Sequence, residues 1–222
     1  ARAPAIDRAV KSCLTQSAVS VSIIIVVNGS RVDQRIFDDL SARKDIILHR
    51  LREGNAPKAR IAGLSKVKTD YFAFLDDDDE FLYDSLAAPR HVCSAHPQIS
   101  VVVMPGLKKF IGFTETRPLL KNFPFEWENP YTALLKGNWL ASCGGIYKRN
   151  KVNQNFFDNL PLYFEWTHTA LRLSESTSLF FYQKPTFLIH QTSGSLSSTA
   201  AYELSEVDFL LNVIKTYPLP AS

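Results

Sequence analysis

The run at residues 21–27 constrains this chain more than any other segment. Apart from Ser22 it is built of Val and Ile without a polar break. A continuous β-branched run of this kind fits a strand buried on both faces, and such strands belong to parallel sheets. Asn28-Gly29-Ser30 then supplies turn chemistry. Before the run, Ile6, Ala9, Val10, Cys13 and Leu14 recur at helical spacing, which predicts a helix over 4–17.

The same alternation continues downstream. Asp33 is placed to cap a helix that carries Ile36, Phe37 and Leu40 on one face. A strand is expected at 46–51, a loop at Gly54-Asn55, and a helix from Pro57 toward Leu64. A third strand at 71–75 runs directly into Asp76-Asp77-Asp78-Asp79, followed by a helix at 85–94 and a strand at 99–104. Strands alternating with helices through short loops predict an α/β fold with a mostly parallel, Rossmann-like sheet. Residues 106–129 are rich in Phe, Lys and Pro and read as a long loop, with Lys108 and Lys109 solvated. Beyond it, helices are expected at 131–135, 165–173 and 201–214, and short strands at 178–182 and 187–189.

A chain of 222 residues is read as one domain with a sizeable core. A net charge of +3 without a basic cluster argues against nucleic acid as a partner. No apolar stretch is long enough to span a bilayer, and no signal peptide is visible. Cys13, Cys93 and Cys143 are far apart and odd in number, which fits buried structural thiols in a reducing compartment.

Four adjacent carboxylates at the end of a buried strand repel one another unless a cation or solvent relieves them. Oxygen ligands suit magnesium, manganese or calcium. Strand ends facing a crevice are where ligands bind in open α/β sheets. An acidic surface turn that binds nothing is the competing reading of the run alone.

The segment Tyr71-Phe72-Ala73-Phe74-Leu75-Asp76-Asp77-Asp78-Asp79 resembles the Asp-x-Asp signature of the inverting family 2 glycosyltransferases, which have the GT-A fold. Residues 54–64 resemble the family's Gly-rich segment, residues 9–17 its first helix ending in "S-x-L-x-Q", and residues 23–30 its second strand. The matches follow one another in the family's order across the first half. The resemblance implies that Asp76 and Asp78 hold Mn2+ or Mg2+ against a nucleotide-diphosphate sugar, with Asp77 and Asp79 beside them. It also implies that Asn28, Asn55 and Arg60 line the donor site. Asn28 stands where the family usually has Asp, and Ile61 where it usually has Asn. The family opens with a strand before its first helix; this sequence starts at the helix, so residues preceding Ala1 are expected in the native protein.

In the second half, residues 162–173 resemble the late helix that carries the family's acidic pair. The resemblance makes Glu165 the base that deprotonates the acceptor hydroxyl. Counting from Arg172 sets Trp166 at the pair's second position; a shift by one sets Glu165 there. His168 is a weaker substitute. Trp139 stands in a stretch like the family's acceptor-facing one, where it stacks on a sugar or fills the core. His190 precedes a loop like the one that closes over the diphosphate, and assists there or is structural.

The implied division is a nucleotide-sugar half at 1–105 and an acceptor half at 106–222, with a glycan or glycolipid as acceptor. The implied setting is bacterial polysaccharide assembly in the cytoplasm, with the inner face of the membrane left open as a location. Two readings compete: a non-catalytic descendant that binds sugar nucleotide or glycan, and a nucleotidyltransferase. The latter lacks its usual basic Gly-rich loop here.

Overall fold

The computed structural model describes residues 3–30, 32–120, 129–134, 137–192 and 200–216. Helix α1 (Ala3–Leu14) packs Ile6 and Val10 against β1 (Ile23–Asn28) and α2 (Gln34–Ala42). Asp33 caps α2 as expected, accepting from the Arg35 amide at 2.9 Å. Strand β2 (Ile46–Leu51) lies parallel to β1, with Ile23 opposite Ile46 and Asn28 opposite Leu51. Helix α3 (Ala56–Leu64) starts with Pro57 in its first turn.

Next come β3 (Tyr71–Phe72), β4 (Glu80–Phe81), α4 (Ala87–Ala95), β5 (Val101–Val103), β6 (Gly106–Lys109) and β7 (Thr116–Pro118). They are followed by α5 (Pro130–Leu134), β8 (Gly145–Lys148), a 3-10 turn (Gln154–Phe156), α6 (Glu165–Ser176), β9 (Leu179–Phe181), β10 (Phe187–His190) and α7 (Ala200–Thr216). The described strands form a pair, β1-β2, and two four-stranded sheets ordered β3-β8-β5-β9 and β4-β10-β6-β7.

The expected α/β class is found, but the mostly parallel sheet is not. Among the described strands three pairings are parallel and four antiparallel. Two of the four come from β8, which returns after the long excursion from 104 to 144 and inserts antiparallel between β3 and β5; the others are β4 against β10 and β6 against β7. Gly145-Ile146-Tyr147-Lys148 is too short and mixed to announce a strand in sequence, yet all four residues are buried. The long loop expected at 106–129 also needs correction. Its first part is a hairpin, β6-β7, whose inner strand pairs in parallel with β10. Residues 121–128 lie outside the described residues.

The principal core joins both halves of the chain. Phe72, Tyr147 and Phe157 pack together with Val101, Val103, Leu140 and Leu173. Around this aromatic centre, rings meet mostly edge to face at centroid distances such as 5.0 Å for Phe74 and Phe157. Such pairs add about 0.5–1.5 kcal/mol each beyond area burial. The three cysteines are free thiols, with Cys93 and Cys143 buried as expected. Burial pushes the Cys13 thiol up to about 11.

Candidate functional site

The acidic run forms a tight turn between β3 and β4. The Asp79 amide donates to the Asp76 carbonyl at 3.2 Å, so Asp77 and Asp78 occupy the turn's centre. The four carboxylates do different work. Asp79 is only 3 % exposed and accepts from the His190 amide at 3.0 Å, tying the turn to β10. Burial, with the charges of Asp76 and Asp78, lifts its pKa to about 8 against the opposing His190 hydrogen bond. Asp78 receives the Thr192 hydroxyl at 3.2 Å, and its carbonyl accepts from the Arg8 guanidinium. Asp76 keeps 43 % of its side chain exposed, and Asp77 is exposed at the turn.

The turn is also held from behind. Ser12 accepts from the Phe81 amide at 3.1 Å. Gln16 donates to the Leu82 carbonyl at 2.7 Å and accepts from the Leu86 amide at 3.0 Å. Both side chains are buried, so the "S-x-L-x-Q" pattern is a clamp on the chain leaving the acidic turn.

At the end of β1, the Asn28 side-chain oxygen Oδ1 accepts from the Asn55 backbone amide at 2.7 Å. Asn55 in turn caps α3, accepting from the Lys58 amide at 2.8 Å. Gly29 has φ +96° and lies against Gly54, where an added Cβ would come within 3.0 Å of backbone. The two loops thus meet backbone to backbone, as the left-handed glycine permits. A carboxylate at 28 would accept the same hydrogen bond, so the amide keeps the loop contact and drops the charge.

The opposite wall is α6. Phe164 adopts a left-handed conformation, φ 57° and ψ 21°, at the helix cap. Strained non-glycine residues persist only where surroundings over-determine them. Here the ring stacks on Tyr202 and Phe209 of α7, with centroids 4.5 and 4.8 Å away. Glu165 follows in the first turn, where the helix macrodipole favours a carboxylate.

Arg60 joins the two walls. From α3 its guanidinium reaches Glu165 at 3.2 Å and Asp76 at 3.8 Å, and it lies 4.8 Å over the Trp166 ring. Its side chain is 14 % exposed. Among the described residues the buried Nη1 group finds no aligned hydrogen-bond acceptor, though it lies within ion-pair distance of Glu165. Trp166 also meets Phe74 and Phe157 edge to face. A salt bridge is an alternative that the sequence allows for Arg60, but its partners are not legible there, because residues 60, 76, 165 and 166 meet only through long-range packing.

Three other sequence candidates sit in different surroundings. Trp139 is buried in the core, donating its indole N–H to the Pro130 carbonyl at 3.0 Å with Phe181 against its ring, and so presents no open face for a sugar. The His190 ring pairs with Glu80 at 2.7 Å. Glu80 directly follows the acidic run in the chain. His168 packs edge-on against Phe209, and burial with the Arg172 charge lowers its pKa. A cavity of about 280 Å3 lined by Tyr71, Lys148, Arg149 and Lys151 contains none of these residues. Lys148 there already serves the His96 and Pro97 carbonyls.

Among the described residues no group of three or more His, Cys, Asp and Glu side chains converges as a ready-made metal cage. The donor set nevertheless fits a hard cation that keeps most of its shell for water and phosphate. Although 43 % of the side chain stays exposed, partial loss of water around its carboxyl group raises Asp76 above its usual range, and the nearby charges of Asp78 and Asp77 raise it further. Arg60 and a Ser142 hydrogen bond oppose the shift. A cation would relieve that repulsion.

The α/β fold and the acidic turn after β3 agree with the glycosyltransferase resemblance of the sequence. The chain belongs to glycosyl transferase family 2, whose family model matches residues 1–177. Comparison with curated proteins gives no match. Among solved structures, S. aureus TarS 1-349 in complex with UDP-GlcNAc matches with a TM-score of 0.62 at 14 % identity, over 97 % of this chain and 65 % of that one. The longer S. aureus TarS matches with a TM-score of 0.61 at 16 % identity, over 96 % of this chain and 38 % of that one. TarS 1-349 alone gives 0.55 at 16 % identity, over 83 % and 56 %. At these identities the likeness is one of fold, and this chain spans less than two thirds of each TarS chain. No described helix is long and apolar enough to cross a membrane.

Proposed function

We propose that this chain transfers a sugar, with inversion, from a nucleotide-diphosphate sugar to a glycan or glycolipid acceptor. The observation that carries the reading is Arg60, which links Asp76 of the acidic turn to Glu165 on the facing helix. A donor diphosphate belongs on the acidic side and an acceptor hydroxyl on the Glu165 side. Residues 1–105 supply the donor half and 106–222 the acceptor half.

Asp76 and Asp78 would hold Mn2+ or Mg2+, which supplies Lewis-acid neutralisation of the departing diphosphate. Asn28 and Asn55 shape the floor of the nucleoside site through their shared loop contact. The Arg60 guanidinium, held between Asp76 and Glu165, supplies positive charge beside an incoming diphosphate. Glu165 takes the proton of the acceptor hydroxyl as its oxygen bonds to the anomeric carbon. The bond from that carbon to the diphosphate oxygen breaks on the opposite face, and its electron pair leaves with the nucleotide diphosphate. The setting that fits is cytoplasmic, by family analogy.

Nucleotide release from a panel of sugar nucleotides, with and without Mn2+, tests the proposal. UDP-GlcNAc, which the TarS complex contains, is a reasonable first donor. Metal-dependent release with an acceptor is the expected result; release unaffected by chelation would overturn the metal role. A second reading, a binding descendant without turnover, draws on Trp166, which occupies the position beside Glu165 with an aromatic ring. Donor-induced thermal stabilisation with no release from any donor would favour it.

A further inference from the structure

The tip of the β6-β7 hairpin is built unlike an ordinary surface turn. The Phe113 amide closes it onto the Phe110 carbonyl at 3.2 Å, and Gly112 takes φ +79° in the turn. An added Cβ on Gly112 would meet nothing within 4 Å, so the tip projects into open space. Turn tips normally carry Asn, Asp, Ser or Gly, which water solvates readily. This one displays Ile111 and Phe113, 58 % and 60 % exposed. The strands behind it carry cations: Lys108 is paired across the hairpin with Arg117, and Lys109 is exposed beside them. Lys108 and Arg117 both lie over the Phe110 ring, at 5.3 and 5.8 Å. One carboxylate, Glu115, stands against these three cations.

The hairpin is fixed to the candidate site. Lys109 pairs with His190 in the sheet, and its carbonyl accepts from the Gln191 amide at 2.9 Å. The Gln191 side chain accepts from the Ile111 amide at 3.3 Å. One residue on, Thr192 donates to Asp78. The apolar tip and the acidic turn are therefore two ends of one short hydrogen-bonded path.

We infer that this hairpin docks the protein on an anionic lipid bilayer, with Ile111 and Phe113 entering the headgroup boundary and Lys108, Lys109 and Arg117 meeting lipid phosphates. An apolar wedge behind a cationic collar matches the two attractions that hold a protein on such a surface. Docking there sets the acidic turn beside the lipid–water boundary. Resting on the transfer reading above, it narrows the acceptor to one presented at that boundary.

Co-flotation with phosphatidylcholine vesicles, with and without phosphatidylglycerol, tests this. The protein is expected to float with the anionic vesicles and to stay off the neutral ones. Ile111→Ser with Phe113→Ser should weaken partitioning by about tenfold or more, since both side chains lose apolar burial. Lys108→Gln with Lys109→Gln should weaken it by about fivefold per cation removed. The lysine pair keeps the test decisive if the apolar pair disturbs the fold, which a melting curve would reveal. No flotation by the unaltered protein, or undiminished flotation of folded tip variants, overturns the proposal. So does sedimentation showing that the tip variants break a dimer, because the tip would then be covered by a second copy. Nucleotide release from a soluble donor, measured on the same samples, separates the two claims. Release without flotation removes docking alone; flotation without release removes the transfer reading and leaves docking standing.

Discussion

The acidic turn and the Glu165 corner both present carboxylates to the same space, and they are held there by opposite means. Asp76 to Asp79 are fixed through backbone groups: their own turn hydrogen bond, the His190 amide, and the Phe81, Leu82 and Leu86 backbone that Ser12 and Gln16 grip from α1 and the residues after it. Glu165 is fixed by side chains from distant segments: Arg60 on its carboxylate, and Tyr202 and Phe209 on the ring before it. A site defined by backbone tolerates changes in surrounding side chains. A site defined by packing does not, and small changes far away can move it.

The sharpest way to test this contrast is to remove each carboxylate. Asp78→Ala should cut nucleotide release by roughly a thousandfold, since metal stabilisation of the leaving group accounts for several kcal/mol. Added Mn2+ should not rescue it, and the melting temperature should barely change, because Asp79 rather than Asp78 is the buried member. Glu165→Gln should lower kcat by about a hundredfold or more while leaving the donor KM close to its starting value. A parallel rise in donor KM would mean that Glu165 serves the donor instead, and the contrast would fail.

Arg60→Gln comes next, because Arg60 touches both sites. Its positive charge holds the Asp76 carboxyl below the level that burial alone would set. Without it Asp76 stays protonated to higher pH, so Mn2+ activation should weaken more at mildly acidic than at mildly alkaline pH. A loss of about tenfold or more in kcat/KM is expected from the broken ion pair. A pH-independent loss would show that Arg60 acts on Glu165 alone.

The smallest effect belongs to His168, behind the Glu165 corner. Its pKa lies below the ordinary 6.5 because burial and Arg172 disfavour the charged ring. The native state then binds fewer protons than the unfolded chain. Stability is therefore full above that range and is lost as pH falls through it. His168→Asn should flatten the acid side of a plot of melting temperature against pH without altering the metal requirement.

What could be read in the sequence follows the same divide. Strand β2 occupies residues 46–51 as expected, the Asp33 cap is in place, and α3 begins beside Pro57, because each depends on nearby residues. The acidic run stood out for the same reason. Strand β8 was hidden, since its four residues become a strand only when β3 and β5 are there to pair with it. The hairpin within 106–118 reads as loop in the sequence because its strands are short and its tip apolar, against the usual turn chemistry. Trp139 shows the limit from the other side: its residue type suits sugar stacking and core filling equally, and only the Pro130 hydrogen bond and Phe181 reveal which surroundings it has.

Phe164 has a practical corollary. The family match stops at residue 177, yet the rings that stack on Phe164 belong to α7, at residues 200–216. A protein trimmed to the conserved boundary would keep Asp76, Asp78, Arg60 and Glu165 and still lose the wedge that sets the first turn of α6. The first turn of α6 is thus set by two aromatic rings beyond the family match, and domain-swapped or truncated versions should be cut after them.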